Sequence, residues 1–257
     1  MKISVITVSF NSRKTIEDAI RSVALQAHDD VEHLVIDGKS VDGTIQIIEA
    51  HRHRGLILKS EPDAGIYDAM NKGLLSASGD VIGFLNSDDL FADSEVLRRI
   101  AISLNENPSA EVCFGDLVYV SEDNQKVVRL WKSRSFENGL FARGWAPAHP
   151  TFYIRRSALE RLGLFDLSYR LAADAEFMMR YLERGGVKSI YIPHVLVRMR
   201  VGGATNKSWR NIVIQNQEIF RALKSNGIPY SPFSFVIHKL FSRLKQRFNG
   251  YRLREAG

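Results

Sequence analysis

The sequence predicts an α/β protein: a mostly parallel central sheet with helices on both faces, followed by a C-terminal helical extension. Two patterns carry this expectation. Short β-branched runs alternate with helical stretches through the first half of the chain, and repeated βα units of that length build a parallel sheet covered on both sides. Polar clusters then close successive strands: Ser9-Phe10-Asn11, Asp37-Gly38, Glu61-Pro62-Asp63 and Asn86-Ser87-Asp88-Asp89. The carboxyl edge of an open α/β sheet is where ligands bind.

Each element follows from its local pattern. Residues 3–10 are a β-branched run and form the first strand. Residues 11–26 place Ile16, Ala19, Ile20 and Val23 at helical spacing, with Asn11 or Ser12 as the cap. Residues 33–37 are a buried-type strand ending in a carboxylate, and the turn at 40–44 starts a helix that runs to His53. Residues 56–59 give the third strand, 66–77 the third helix and 80–85 the fourth strand. A helix follows from Ser94 to about Asn105, and then 112–120 and 126–131 pair antiparallel across Glu122-Asp123-Asn124. Residues 135–150, rich in Gly, Trp, Phe and Pro, form loops over the site. A strand at 151–154, a helix at 174–184 closed by Gly185-Gly186, a strand at 187–192 and a long amphipathic helix at 209–225 complete the body.

Composition bounds the function. With 45% hydrophobic and 25% charged residues among 257, the chain is neither disordered nor fibrous. Its single cysteine, Cys113, excludes an intrachain disulfide framework and any cysteine-based metal cage. No apolar run approaches the roughly 18 residues that span a bilayer. The N-terminal run is broken by Ser4 and Thr7 and lacks a small-residue cleavage site, so it reads as a strand and not a signal peptide. A cytoplasmic protein is expected. The net charge of +6 asks for an anionic partner, but Lys239, Arg243, Lys245, Arg247, Arg252 and Arg254 stand in the last stretch against Glu255 alone. The remaining body is near neutral, which argues against nucleic acid. A G-x-G-x-x-G after the first strand, a P-loop and a G-x-S-x-G elbow are all missing, so dinucleotide, P-loop and α/β-hydrolase readings lose their main support.

The densest chemistry is Asn86-Ser87-Asp88-Asp89. A buried strand that delivers adjacent carboxylates into solvent can present oxygen ligands to Mg2+ or Mn2+, which take one or two carboxylates plus substrate phosphates. The same residues could serve as an N-cap cluster for the helix near Ser94. Their context is Ser4-Val5-Ile6-Thr7-Val8-Ser9-Phe10-Asn11, then Asp37-Gly38-Lys39-Ser40-Val41-Asp42-Gly43-Thr44, then Ser60-Glu61-Pro62-Asp63-Ala64-Gly65-Ile66-Tyr67-Asp68-Ala69-Met70-Asn71-Lys72-Gly73. In that order, and with Gly79-Asp80 leading to residues 86–89, they resemble family 2 glycosyltransferases, above all bacterial enzymes of exopolysaccharide, lipopolysaccharide and glycolipid synthesis. The resemblance covers about residues 1–205, and the four ordered motifs together make it specific.

The resemblance implies a Rossmann-like nucleotide-diphospho-sugar transferase domain of type A over residues 1–205, its donor half about 1–110 and its acceptor half about 111–205. Residues 206–257 then form C-terminal helices with a basic amphipathic tail. The implied reaction is an inverting, metal-dependent hexosyl or N-acetylhexosaminyl transfer from a nucleotide-sugar donor, expected to be a UDP-sugar, to a hydroxyl of a glycan or lipid-linked acceptor. By the same resemblance Thr7, Ser9 and Asn11 line the nucleotide site, and Asp37 hydrogen-bonds the base. Asp63 and the segment through Lys72 flank nucleotide and sugar. The D-x-D element falls on Asn86-Ser87-Asp88, which places Asn86 and Ser87 on the donor and Asp88 on the metal. Because Asn86 stands where the family has its first Asp, Asp89 is kept as a second metal candidate. Asp174, in Ala172-Ala173-Asp174-Ala175-Glu176, matches the family's base, although Ala173 stands where Glu is common.

The chemistry agrees with that assignment. A divalent cation stabilises a departing diphosphate, and an acceptor hydroxyl needs a positioned base. Outside the resemblance, Asp174 would merely complement a helix dipole. His149 and Trp145 border the acceptor or diphosphate, or else are a backbone-held loop histidine and a core tryptophan. Arg198 and Arg200, ahead of Gly202-Gly203, suit a phosphate-gripping lid or a surface hairpin. A helix over 233–254, apolar at Phe233, Val236, Ile237, Leu240, Phe241, Leu244 and Phe248, can lie on an anionic membrane at its cytoplasmic face or pack on the domain. Two other functions compete. An inactive nucleotide-sugar- or glycan-binding module stays open through Asn86 and Ala173. A nucleotidyltransferase would need a phosphate loop rich in Gly, Arg or Lys after the first strand.

Overall fold

The computed structural model describes residues 1–202 and 209–233, with Phe235 and Ile237. Its first half is a run of βα units. β1 (Ile3–Ser9), β2 (Val31–Asp37), β3 (Leu56–Ser60) and β4 (Val81–Phe84) alternate with α1 (Ile16–Ala24), α2 (Thr44–Ala50) and α3 (Ile66–Ser76). These four strands run parallel in the order β3-β2-β1-β4. Then come β5 (Asp89–Phe91), α4 (Val96–Glu106), β6 (Val112–Val120), β7 (Val127–Trp131) and β8 (Tyr153–Arg155). The chain continues through α5 (Arg156–Leu162), α6 (Ala173–Met179) with a π-helical turn at Arg180–Arg184, β9 (Ser189–Arg200) and α7 (Trp209–Ser225). All nine strands form one sheet, extended beyond β4 by β8-β6-β9-β5 with β7 on β6. β8 is antiparallel to both neighbours, whereas β6 and β9 are parallel.

The period of two along each strand sorts the core into layers. Ile6, Val8, Leu34, Ile36, Ile82 and Phe84 face α3 through Met70 and Leu74, in the same cluster as Phe177 and Met178 of α6. On the other face Ile3, Val5 and Val81 pack with Leu97 and Ile100 of α4. Val35 packs there with Ile16, Ile20 and Ile48. Helices therefore cover both faces, as the alternating pattern predicts. Glu32 lies on the α3 face, in step with Leu34 and Ile36; burial raises its pKa, but Ser4, Ser78 and Lys2 donate to it and hold the carboxyl down to about 2.

Several elements depart from the sequence reading. α1 starts at Ile16, not at residue 11. The N-cap position falls on Thr15, whose side chain makes no cap hydrogen bond, and Asn11 is in a left-handed loop conformation, so neither Asn11 nor Ser12 occupies it. β5 and α5 were not expected. β5 is three residues long and exists by pairing with β9, which itself runs to Arg200 because β6 pairs along its length. α7 buries Ile219, Ala222 and Leu223 in the cluster that holds α6, so the C-terminal extension begins inside the core. Of the basic tail, Phe233, Phe235 and Ile237 are described, and the residues from Lys239 to Arg254 lie outside the described residues. Among the described residues no helix is long and apolar enough to cross a membrane.

Candidate active site

The carboxyl ends of the parallel strands meet in one rim. Register places Ser9 beside Asp37 and Asp37 beside Ser60. Asp37 is wholly buried and accepts the hydroxyls of Ser9, Ser40 and Ser60 and the Ser40 N–H. These four donors fill a carboxylate's acceptor sites, so a ligand donor reaches Asp37 only by displacing a hydroxyl. The Asn11 amide oxygen accepts the Val41 N–H at 3.1 Å. Between Ser9 and Asn11, Phe10 is 65% exposed. A Cβ on Gly38 would come within 3.3 Å of the Phe10 ring and collide with the Asp63 carboxylate, so glycine is what lets the three converge.

Two expected donor residues act in support. Lys72 is paired with Glu61 (3.0 Å) and Asp68 (3.5 Å) and donates to the Pro62 carbonyl (2.6 Å), which staples the loop carrying Asp63. Asp63 in turn accepts the Gly65 N–H at 2.9 Å. Thr7 does not line the site. It is fully buried two residue pairs below the rim, with its hydroxyl 2.9 Å from His33 Nε2. His33 Nδ1 lies 3.0 Å from His53 Nε2, and burial together with His53 holds the His33 pKa down to about 3, which keeps the ring neutral.

β4 runs out into a tight turn. The Asp89 N–H donates to the Asn86 carbonyl at 3.0 Å and reverses the chain into β5. Residues 86–89 thus join two strands, and α4 begins later, behind Glu95; they are not an N-cap. Ser87 Oγ is 2.8 Å from Ser12 Oγ, which ties the turn to the β1 loop. Asp89 is wholly buried, its Oδ2 accepting the Asn86 amide at 3.2 Å. Burial and the neighbouring Asp88 charge push its carboxyl well above the usual range. Asn86 Oδ1 and Asp89 Oδ1 have no hydrogen-bond partner. Two orphaned oxygens beside Asp88 make an oxygen-only donor set, the kind that Mg2+ and Mn2+ prefer. Among the described residues no group of three His, Cys, Asp or Glu could hold an ion.

Asp174 lies half-buried in the first turn of α6, where its Oδ1 accepts the Tyr67 hydroxyl at 3.1 Å. Burial, then the charges of Asp174 and Glu218, push the Tyr67 hydroxyl well above 10, so it stays a donor. His149 packs between Phe84 (5.2 Å) and Phe165 (5.7 Å). Its burial holds its pKa down against the opposing charge of Asp174. Phe84 ends β4 two residues before Asn86, so His149, which feels the Asp174 charge, packs on the strand end from which the 86–89 turn leaves. Ala173, where the family often has Glu, is wholly buried in the main core. A longer polar side chain there would enter apolar packing.

The remaining candidates are fastened to protein. Trp145 packs on Phe114, Phe136 and Phe141 at ring distances of 6.1–6.4 Å, as a core residue does. Arg198 binds Asn124 through its side chain (2.9 Å) and carbonyl (2.8 Å). Arg200, buried, donates to the Glu122 and Asp88 carbonyls at 3.0 Å and pairs with Asp18. Both are strand residues that clamp the β6–β7 turn, an arrangement nearer to the hairpin than to the lid among the two readings. Gly203 and the residues to 208 lie outside the described residues. Sequence reasoning passed over Phe10, Tyr67 and Glu218. An exposed aromatic at a strand end was a usable signal for Phe10, but nothing local marks the other two.

The family model described as Glycosyl transferase family 2 matches residues 4–163. An uncharacterized glycosyltransferase of Mycobacterium tuberculosis is 34% identical over 181 residues, 69% of this chain and 68% of that protein. A PGL/p-HBAD biosynthesis glycosyltransferase of Mycobacterium bovis is 28% identical over 208 residues, 79% of this chain and 78% of its own. Among solved structures, S. aureus TarS 1-349 in complex with UDP-GlcNAc is similar with a TM-score of 0.69 and 22% identity over 88% of this chain. The chain spans 65% of that TarS fragment. Mannosyltransferase PcManGT from Pyrobaculum calidifontis, in complex with GDP-Man and Mn2+, gives 0.66 and 18% identity over 100% of this chain and 75% of its own. At these identities the two structures speak to the fold, and the fold is theirs.

Proposed function

The chain belongs to glycosyl transferase family 2, and from that premise we propose that it is an inverting, metal-dependent transferase. It moves a sugar from a UDP-sugar to a hydroxyl of a glycan or lipid-linked acceptor. The observation that carries the reading is that His149, which feels the Asp174 charge, packs on Phe84 at the end of β4, the strand from which the 86–89 turn leaves. Phe10 offers its face to the base, and the Asp37 hydroxyl cluster offers hydrogen bonds to it. Asp88, with Asn86 and Asp89 behind it, would hold Mn2+ or Mg2+, and a divalent ion there would neutralise the departing diphosphate. Asp174 takes the proton of the acceptor hydroxyl as its oxygen bonds the anomeric carbon and the bond to the diphosphate breaks on the opposite face. One in-line displacement inverts the configuration. Tyr67 holds the Asp174 carboxylate toward the acceptor, and His149 walls the pocket as a neutral ring. The basic tail would bring the enzyme to an anionic membrane surface, where a lipid-linked acceptor resides.

A panel of nucleotide sugars, with and without Mn2+, tests this by release of nucleoside diphosphate. UDP release that requires the metal is expected. Pyrophosphate release would favour nucleotidyl transfer, and binding without turnover would reduce the protein to a binding module; either outcome overturns the reading.

A further inference from the structure

The segment that delivers Asp174, residues 168–172, has no regular secondary structure. One stripe of α7 holds it. Glu218, Arg221 and Ser225 stand three and four residues apart and so share a helix face. Glu218 Oε1 accepts the Arg170 N–H at 2.9 Å, and its Oε2 accepts the N–H groups of Leu171 (2.7 Å) and Ala172 (2.9 Å). Arg221 donates to the Ser168 carbonyl at 2.7 Å and lies 3.8 Å over the Tyr169 ring. Ser225 Oγ is 3.2 Å from the Tyr169 hydroxyl. Beside this stripe Ile219, Ala222 and Leu223 are anchored in the core.

Three consecutive N–H groups converging on one carboxylate form a charge-assisted grip, stronger than neutral hydrogen bonds. Its place in the helix matters. Ala172 is the N-cap of α6, its carbonyl accepting the Glu176 N–H at 3.0 Å, and it carries no side chain that can cap. In a capping box, a Glu three residues into the helix returns to bond the N-cap N–H. Here that position is Ala175, and Glu218 supplies the missing carboxylate from another helix. α6 has seven residues, and no side chain at its own N-cap bonds the first turn.

We propose that Glu218 is a positioning residue that caps α6 from α7 and sets the aim of the Asp174 carboxylate. The inference rests on the reading of Asp174 as the base. It predicts a defect in turnover and not in donor binding, since the donor rim belongs to β1–β4.

The test compares Glu218→Gln with the wild-type chain in two arms. In amide hydrogen exchange, residues 170–172 should exchange at least about tenfold faster in the variant, because an amide keeps one acceptor oxygen where the carboxylate had two. The amides of β1 and β2 should be unchanged. In steady-state kinetics, kcat should fall about ten- to hundredfold with the donor KM within twofold. Added to Asp174→Asn, the change should cost little more, as expected of residues that act as a unit. Arg221→Met, which loosens the same segment but leaves Glu218 in place, should lower kcat no more than about threefold. Unchanged exchange at 170–172, an equal fall for Arg221→Met, a rise in donor KM that accounts for the loss, or outright unfolding of Glu218→Gln would each overturn the proposal. If the wild-type chain transfers no sugar from any donor, the functional reading falls, and the exchange arm still decides whether Glu218 caps the helix.

Discussion

At the donor rim, Ser9, Asp37 and Ser60 come from adjacent parallel strands and meet because register sets them side by side. At the base pocket, Tyr67, Phe84, His149, Asp174 and Glu218 come from separate elements and meet through packing of aromatic rings and one carboxylate clamp. The first arrangement follows once the strands pair. The second depends on α3, α6, α7 and the 149–151 turn all docking correctly. Local construction therefore marks the part proposed to bind the donor, and long-range construction the part proposed to do chemistry.

The largest effect that separates the two halves is Asp174→Asn. Loss of a general base lowers kcat about 10²- to 10⁴-fold, while UDP binding, measured calorimetrically, should stay within twofold. A parallel loss of UDP binding would erase the distinction.

Acid should weaken the donor half. His33 has its pKa held at about 3, below its ordinary 6.5, so the unfolded chain binds a proton that the folded chain refuses. Its contribution is complete above pH 6.5 and is lost toward pH 3, at about 1.4 kcal/mol per unit. At pH 4.5 that is about 3 kcal/mol, roughly a hundredfold in the folding equilibrium. Glu32, held at about 2 below its ordinary 4.5, contributes fully above pH 4.5 and adds its own loss as pH falls toward 2. Urea unfolding at pH 7.5, 6 and 4.5 reads the slope, and His33→Gln should flatten it.

Gly38→Ala is a smaller, purely local blow to the rim. Its Cβ would force Asp63 and Phe10 apart, and a donor KM raised about tenfold with kcat little changed is the expected outcome, as for a group that contributes uniform binding. A fall in kcat alone would show the rim coupled to the base. The smallest expected effect is Tyr67→Phe. Removing the hydroxyl that donates to Asp174 leaves the carboxylate freer to turn, so kcat should fall only a few-fold with the donor KM within twofold.

The same contrast governs how much could be read from residues alone. The parallel βα run of the donor half and its polar edge, on which Ser9 and Asp37 fall, were legible because the patterns are contiguous and regularly spaced. Thr7 was misplaced because alternation fixes which face it takes, not how far along that face the rim begins. Arg198 and Arg200 were left between a lid and a hairpin because a twelve-residue β9 depends on pairing with β6 and β5, and no pattern within 193–200 announces it. Glu218 was invisible, since an acidic residue on an amphipathic helix is ordinary and its partners lie 46 to 48 positions away.

The grip of α7 on residues 168–172 also decides where this molecule can be recombined. The family model ends at residue 163, before both the base and its clamp. A chimera that exchanges the α6 segment for a relative's must carry that relative's α7 with it, or a foreign base will enter a host whose clamp was shaped for another loop. The natural crossover is therefore a pair of residues on one interface, 172 and 218, inherited together.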